Sequence, residues 1–277
     1  MRILTDSTAD YSLEEAKKLN IDIIPLSVII DGKEFKDRID LTPTDFYKKL
    51  TECEDLPSTS QPSPKEYFNY IEQAKKDNET LILILLSSQI SGTYQSACMA
   101  KELAEYDNVY IIDSLNATVG LKLLVDKAVQ FRNEGKSALE IVEAIEELKH
   151  KVRLFAVVDT LEYFYKGGRL SKASAVAGTL LKLKPIVGLK EGKLDVYGKA
   201  RGISKATKEI LSFIEGSTID TNEPVYYGYT GNDDLMDKFA LVFEESYGLS
   251  NIPITEVGPV IGTHAGPGAK VIAYFTK

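Results

Sequence analysis

The sequence is poor in cysteine and histidine and has no long apolar run. Its 277 residues include two cysteines, Cys53 and Cys98, and two histidines. One pair of cysteines makes neither a disulfide framework nor a zinc site. The apolar run at 81–86 is far shorter than the ~20 residues of a membrane-spanning helix, and the first residues lack the pattern of a secretion signal. We therefore expect a protein of the reducing cytoplasm whose contact with membranes is at most transient.

The sequence also lacks an excess of positive charge and the common nucleotide-binding loops. Its 33 Lys and Arg against 41 Asp and Glu give a net charge of −8. This charge argues against a nucleic-acid partner, because nucleic-acid binding depends on neutralising phosphates. Neither G-x-x-x-x-G-K-[ST] nor G-x-G-x-x-G occurs. A small anionic ligand remains compatible, since a local site can oppose the global charge.

The first half of the chain alternates apolar runs with amphipathic segments. Strands are predicted at 3–5, 21–30, 81–86 and 109–113, and helices are predicted to begin near Ser12, Thr42, Ser63, Gly92, Thr118 and Ser137. The continuous apolar run at 81–86 is typical of a strand that is covered on both faces, as in a parallel sheet flanked by helices. The first half therefore predicts an α/β layer arrangement.

The pattern changes after Lys149. Strands are predicted at 153–160, 184–189, 193–200, 224–231, 252–258 and 270–275, and helices at 171–182, 203–215 and 233–247. The segment "LKEGKL" between two of these strands predicts a short hairpin. We therefore predict an α/β fold with two domains: an α/β domain with a parallel sheet at 1–149, and an α+β domain with a largely antiparallel sheet at 150–277.

Hydroxyl and carboxylate side chains follow three predicted strands of the first half. They are Asp6, Ser7, Thr8, Ser87, Ser88, Ser91, Thr93, Asp113 and Ser114. In a parallel sheet, ligands bind in the crevice at the carboxyl ends of the strands. The alternative is that each Ser or Thr only caps the helix that follows it.

Two predicted helix starts differ in how they are capped. Ser63, Pro64 and Glu66 form a complete capping box, whereas in "SGTY" (91–94) Tyr94 stands in the place of the Glu. We expect the second helix to keep free N–H groups beside Gly92, which favours an anion there. A carboxylate fits such a shallow site, and a solvated helix start is the alternative.

Six segments in order along the chain carry a family resemblance. They are "TDSTAD" near the start, "STSQPSP" (58–64), "SSQISGTYQSA" (87–97), "IDS" (112–114), "YKGGRLS" (165–171) and "THAGPGA" (263–269). Together they resemble the DegV family over the whole chain. The resemblance implies a fatty-acid-binding protein of two domains that holds an acyl chain in a buried tunnel. It also implies a bacterial fatty acid kinase system feeding phospholipid synthesis, in which a separate ATP-using subunit phosphorylates the bound carboxylate.

The same resemblance implies roles for individual residues. The fatty acid carboxylate would be held by Thr59, Ser91 and the Gly92 amide, with His264 close by. Arg169 and Arg201 would lie around the head-group opening, where the kinase subunit engages. No residue is expected to be catalytic, and no metal or cofactor is expected beyond the bound fatty acid. The acidic surface favours a monomer.

Each of these residues also has a simpler interpretation. Thr59 is compatible with an ordinary turn, His264 with a structural loop histidine, and Arg169 with a surface ion pair of little energetic weight. Other functions remain open as well: an acyl hydrolase using Ser91 and His264, a protein phosphorylated on His264, and a regulatory lipid sensor. The hydrolase lacks the G-x-S-x-G elbow and an assignable acid partner for His264. The preferred chain length cannot be deduced from the sequence.

Overall fold

A computed structural model describes residues 1–171, 183–214 and 218–277. The first-half strands are β1 (Arg2–Asp6), β2 (Asp22–Ile24), β3 (Ser27–Ile30), β4 (Lys33–Lys36), β5 (Ser58–Ser60), β6 (Leu81–Leu85) and β7 (Val109–Asp113). The helices are α1 (Leu13–Leu19), α2 (Pro43–Glu52), α3 (Pro64–Lys76), α4 (Thr93–Ala104), α5 (Thr118–Asn133) and α6 (Ala138–Leu148). Four of the strands form a parallel sheet in the order β2-β1-β6-β7. Every residue of β6 is buried, which confirms the predicted parallel sheet.

The predicted starts of most first-half helices are confirmed by their caps. Ser12, Thr42, Ser63 and Ser137 are N-cap residues whose side chains accept from the third helical N–H. Ser63 and Glu66 form the reciprocal capping box. Helix α4 is capped by Gly92 without a side-chain hydrogen bond and starts one residue later than we expected. The third helical position therefore belongs to Gln95, so the placement of Tyr94 there was wrong.

The predicted strand at 21–30 is two strands in two different sheets. β2 joins the parallel sheet, whereas β3 lies in a separate three-stranded antiparallel sheet of order β4-β3-β5. Pro25 stands between them, and proline removes a ladder N–H and restricts its neighbour. The break brings Val28 opposite Thr59. Thr59 therefore lies in a strand and not in a turn.

The second-half strands are β8 (Val152–Val157), β9 (Leu183–Lys190), β10 (Lys193–Arg201), β11 (Val225–Tyr229), β12 (Ile254–Glu256) and β13 (Lys270–Phe275). The helices are α7 (Glu162–Lys166), α8 (Ile203–Ile214), α9 (Met236–Tyr247) and α10 (Pro259–Ala265). The sheet has the order β10-β9-β8-β13-β11-β12 and is antiparallel except between β11 and β12. The predicted antiparallel arrangement is thereby confirmed. The helix predicted at 171–182 lies, apart from its first residue, outside the described residues, and α7 and α10 were not predicted.

Helix α5 packs against both large sheets. It contacts β1 and β6 of the parallel sheet and β8, β11 and β13 of the other. One hydrophobic cluster accordingly includes residues of both halves, from Ile3 to Phe275. The domain division at residue 150 stays a prediction beside this shared core. Within the described ranges, no helix is both long and apolar enough to span a bilayer.

Candidate ligand-binding site

An apolar cavity of about 140 Å³ is lined by elements of both halves. This volume is on the order of ten times the space that one buried water needs. Its apolar wall consists of Leu26, Leu86, Ile90, Ala117, Leu154, Ala156, Val158, Phe164, Val187, Leu189, Leu194, Val257, Val260, Ile261, Ala265, Ala269 and Val271. Its polar lining residues are Thr59, Gln61, Ser91, Thr118, Arg169, Thr230 and His264. The cavity is therefore mainly apolar, with a small number of polar side chains in its lining.

The contact between Thr59 and His264 defines a polar end of this cavity. Thr59 projects from β5 and His264 from α10, and the Thr59 Oγ1 atom lies 2.9 Å from the His264 Nε2 atom. Both side chains line the cavity. Two residues on unrelated elements thus present one hydroxyl–imidazole pair to the same apolar space.

His264 is held in an environment that disfavours its charged form. Burial is the main cause and the positive charge of Arg169 the second, and together they lower its pKa to about 4. Among the described residues, the Nδ1 atom has no hydrogen-bond partner. A Cβ on Gly167 would lie 2.2 Å from this Nδ1 atom, so only glycine permits the imidazole to occupy its place. The imidazole is neutral at pH 7.

Arg169 is tethered beside the same pair. Its Nε donates to the Ile90 carbonyl at 3.1 Å, and its Nη1 donates to the Gly167 carbonyl at 2.6 Å. Burial lowers the pKa of its guanidinium, which nevertheless stays charged at neutral pH. The structure therefore places a fixed positive charge at the polar end without an ion pair to a carboxylate in the described part of the chain.

Ser91 lies at the start of α4 and lines the cavity. Its Oγ is 2.8 Å from the Thr93 Oγ1 and accepts from the Thr93 N–H at 3.3 Å. The prediction that the amides of this helix start are all free was therefore wrong for Thr93. Gly92 is the N-cap itself, and its amide role toward a ligand stays a prediction.

Gln61 is a lining residue that the sequence reasoning missed, although it belongs to the quoted "STSQPSP" segment. Its Nε2 donates to the Ser96 Oγ at 2.8 Å. A Cβ on Gly92 would lie 2.2 Å from its Oε1. Gln61 thus packs directly over the start of α4. The sequence signal for it was weak, because Gln in a Ser- and Pro-rich segment has no distinctive pattern.

Two predicted site residues, Gly92 and Arg201, are not among the residues lining the cavity. Arg201 is also remote in the sequence from the helix start that carries Ser91 and Gly92. It is the exposed last residue of β10, opposite Leu183 on β9. The structure thus brings Thr59, Ser91, Arg169 and His264 around one cavity, with Gly92 next to Ser91. A role for Arg201 in the head-group opening or in partner contact stays a prediction.

Most of the polar residues at the strand ends serve the fold. Asp6 accepts from the Leu86 N–H at 2.7 Å, Asp113 accepts from the Ser88 N–H at 3.1 Å, and Ser87 donates to the Gly192 carbonyl at 2.9 Å. Because these groups are used internally, they tie loops together and do not face the cavity. Only Ser91 of the nine is a lining residue. No cluster suited to a metal ion occurs within the described ranges.

Comparison with known proteins places these features in a family. A family model described as an uncharacterised protein of the DegV family matches residues 1–277. A DegV domain-containing protein of Caldanaerobacter subterraneus is 35% identical over 276 residues, covering 99% of this chain and 98% of its own.

Solved structures show the same fold over the whole chain. One, described as fatty acid binding of a DegV family protein from Thermus thermophilus, is 33% identical with a TM-score of 0.88, covering 99% of this chain and 100% of its own. Another, described as a stearic acid-binding protein from Eubacterium ventriosum, is 27% identical with a TM-score of 0.90, covering 100% of this chain and 99% of its own.

Proposed function

Because this chain belongs to the DegV family, we propose that it binds a long-chain fatty acid in the described cavity. The tail occupies the apolar part, and Thr59, Ser91, Gly92 and His264 hold the carboxylate. The observation that carries this proposal is the greasy cavity with the Thr59–His264 pair at its polar end. The fatty acids named for the solved relatives support the same ligand class.

The free energy of binding comes mainly from the tail. Each buried methylene contributes about 0.8 kcal/mol, so a long chain contributes on the order of 10 kcal/mol before ordering costs. The carboxylate cannot enter apolar surroundings without partners. The polar residues of the cavity therefore fix the position of the carboxylate and so the orientation of the ligand. The apolar wall supplies most of the binding free energy.

The hydrogen-bond arrangement favours one tautomer of His264. A buried N–H without an acceptor costs more than an unused lone pair, and Nδ1 is the nitrogen without a described partner. The proton therefore belongs on Nε2, which donates to the Thr59 Oγ1. The Thr59 hydroxyl is then free to donate its own hydrogen to the carboxylate. Two neutral hydrogen bonds in series, from His264 to Thr59 and from Thr59 to the carboxylate, connect the imidazole to the ligand in this way.

A separate ATP-using kinase subunit is the partner that we propose for the bound acid. In that reaction a carboxylate oxygen attacks the γ-phosphorus of ATP, the bond to the bridging oxygen breaks, and ADP leaves with its electron pair. This chain would contribute no catalytic residue. The groups proposed to hold the carboxylate are neutral donors, and the nearby guanidinium of Arg169 is already bonded to the Ile90 and Gly167 carbonyls. Arg169 and Arg201 are proposed to face the kinase subunit.

The contacts weigh against two alternatives. A hydrolase would need His264 against the Ser91 hydroxyl, but His264 Nε2 lies at Thr59, and Ser91 lies at Thr93. Phosphorylation of His264 would need a free nitrogen, whereas Nε2 is bonded and Nδ1 is buried under Gly167. A lipid sensor would use the same site as a carrier, and turnover with the kinase subunit separates the two.

Native mass spectrometry of freshly purified protein tests the proposal. We expect one retained fatty acid per chain, and after delipidation the protein should take up a long-chain acid again. The Thr59→Ala/Ser91→Ala double variant should bind it much more weakly, whereas Ser58→Ala, on the same strand as Thr59 but exposed, should bind normally. Wild-type protein that takes up no long-chain acid would refute fatty acid binding.

A further inference from the structure

A buried carboxylate outside the cavity connects several elements of the cavity wall. Asp10, the last residue of the "TDSTAD" segment, is 1% exposed. Its Oδ1 accepts from the Gly258 N–H at 2.8 Å and from the Arg38 Nη2 at 3.0 Å. Its Oδ2 accepts from the Thr118 hydroxyl at 2.5 Å. Thr118 is itself a lining residue of the cavity.

The three residues before α10 are all held by side chains of the first half. Arg38 Nη2 also donates to the Glu256 carbonyl at 2.7 Å, and the Tyr47 hydroxyl donates to the Val257 carbonyl at 2.9 Å. Gly258, the N-cap of α10, is held by Asp10. A Cβ on Gly258 would lie 2.9 Å from Asp10 Oδ1, so the backbone approaches the carboxylate as closely as only glycine allows.

The backbone around Asp10 is unusual. Asp10, Arg38 and Thr118 have φ values of 61°, 61° and 47°, and these left-handed values are rare for an arginine and unfavourable for a β-branched threonine. Such conformations persist only where the surrounding contacts over-determine them, and they are frequent near functional sites. Here Arg38 and Thr118 both donate hydrogen bonds to the Asp10 carboxylate.

Helix α10 connects the held residues 256–258 to the cavity. It has seven residues and a rise of about 1.5 Å per residue, so its start and His264 are less than two turns apart. Val260, Ile261 and Ala265 of the same helix also line the cavity. Any shift of residues 256–258 therefore moves both the imidazole and part of the apolar wall.

We propose that Asp10 is a positioning residue for the carboxylate site: by fixing Gly258 and, through Arg38, Glu256, it sets α10 so that His264 lies opposite Thr59. This inference rests on the proposed function for its ligand, but its geometric part concerns His264 alone. Asp10 touches no lining residue other than Thr118 among its described hydrogen bonds, so its effect on the ligand head is indirect.

Two ligands of equal chain length separate positioning from general destabilisation. We compare binding of a saturated long-chain acid and of the corresponding alcohol to wild type and Asp10→Asn. The variant should lose about tenfold or more in affinity for the acid, the scale of a hydrogen bond to a charged group, and clearly less for the alcohol, which senses only the shift of the apolar wall. Asp126→Asn is the matched control, because this partly buried carboxylate accepts from Tyr11 and Tyr226 and has no partner in α10 among its described hydrogen bonds. Equal losses for acid and alcohol, or no loss, would overturn the proposal.

The second readout does not need a ligand. The imidazole ¹⁵N signals of His264, assigned by comparison with His264→Gln, should show the Nε2–H tautomer in wild type and a mixture in Asp10→Asn. If Asp10→Asn does not fold, Arg38→Lys is the substitute variant, because it keeps the buried positive charge. It should show a weaker form of the same change in the His264 signals. Unchanged His264 signals in a folded variant contradict the positioning role, whereas wild type that binds neither ligand contradicts only the proposed function.

Discussion

The Nε2 atom of His264 lies 2.9 Å from the hydroxyl oxygen of Thr59, although 205 positions separate the two residues in the chain. The contact joins α10 to the small three-stranded sheet. Both side chains are among the polar residues that line the apolar cavity. In the proposed function, the orientation of the fatty acid depends on this long-range contact.

Replacing Thr59 by valine tests the proposed donor chain. Thr59→Val keeps the shape of the side chain but removes the hydroxyl between His264 and the carboxylate. We expect the affinity for a long-chain acid to fall about tenfold, as for the loss of a hydrogen bond to a charged group, with a minor loss of stability. Isothermal titration calorimetry measures the affinity. Ser60→Ala, on the same strand and exposed, should leave it unchanged.

Gly167→Ala tests the close packing on His264. The new Cβ would stand 2.2 Å from the Nδ1 atom, so the imidazole must shift away from Gly167, which disturbs its contact with Thr59. We expect weaker acid binding and a destabilisation on the order of 1–3 kcal/mol from overpacking. A double-mutant cycle with His264→Ala checks the cause, because the added methyl should cost little once the ring is gone. An equal cost in both backgrounds would show that the clash lies elsewhere.

The lowered pKa of His264 makes folding sensitive to pH. Its folded value is about 4 and its ordinary value 6.5, so the unfolded chain binds the proton first as the pH falls. The contribution of His264 is fully present above pH 6.5 and is lost as the pH falls toward 4, by on the order of 3 kcal/mol. Urea unfolding between pH 4 and 7 should therefore show a steeper acid decline for wild type than for His264→Gln. A bound carboxylate should raise the pKa of His264, and titration by NMR with and without fatty acid measures that shift.

Asp37 should give the free energy of unfolding a pH dependence of the opposite sign to that of His264. Burial raises its pKa to about 7, with Arg38 opposing and Asp10 and Asp6 reinforcing the shift. Its two carboxylate oxygens have no hydrogen-bond partner within bonding distance among the described residues, and the nearby Ser7 hydroxyl, a smaller influence than burial and Arg38, lowers the pKa. The folded state therefore keeps a proton that the unfolded state loses near pH 3.8.

The stability supplied by that proton is present at low pH and is lost as the pH rises through 7. Asp37→Asn mimics the protonated form, so it should be more stable than wild type at pH 8 by a few kcal/mol and nearly equal to it at pH 4. The charged and titratable groups facing this region are Arg38 on the same segment, Asp6 and Asp10, Glu256 on β12, and the neutral Tyr47 on α2. Denaturant unfolding at the two pH values measures the difference, with exposed Asp55→Asn as control. A constant difference across this range would rule Asp37 out as the titrating group.

Many elements of the fold are determined by residues that are close together in the sequence. Ser12, Ser63 and Ser137 each precede a helix with Glu at its third position, and that chemistry is complete within four residues. The run at 81–86 reports burial on both faces in the same local way. Such elements can be predicted because no distant residue is needed to form them.

The missed features depend on distant partners. Helix α10 has seven residues and is flanked by Gly258 and Gly266. So short a helix is marginal on its own, and it is held by Asp10 and Tyr47 from the far end of the chain. The break at Pro25 and the strand that carries Thr59 depend on pairing between β3 and β5. The family resemblance supplied Thr59, Ser91 and His264, whereas Gln61 emerged only from packing over Gly92.

The cavity wall runs from Leu26 to Val271 and shares members with the largest cluster of the core, among them Leu154, Ala156 and Val271. The proposed fatty acid would therefore complete the packing of this core, as an additional apolar side chain would. Loading should tighten the whole chain, raising its melting temperature and slowing amide exchange in β8 and β13. On this proposal, the rigidity of the chain differs between its lipid-free and lipid-bound forms, so a binding partner could distinguish the two.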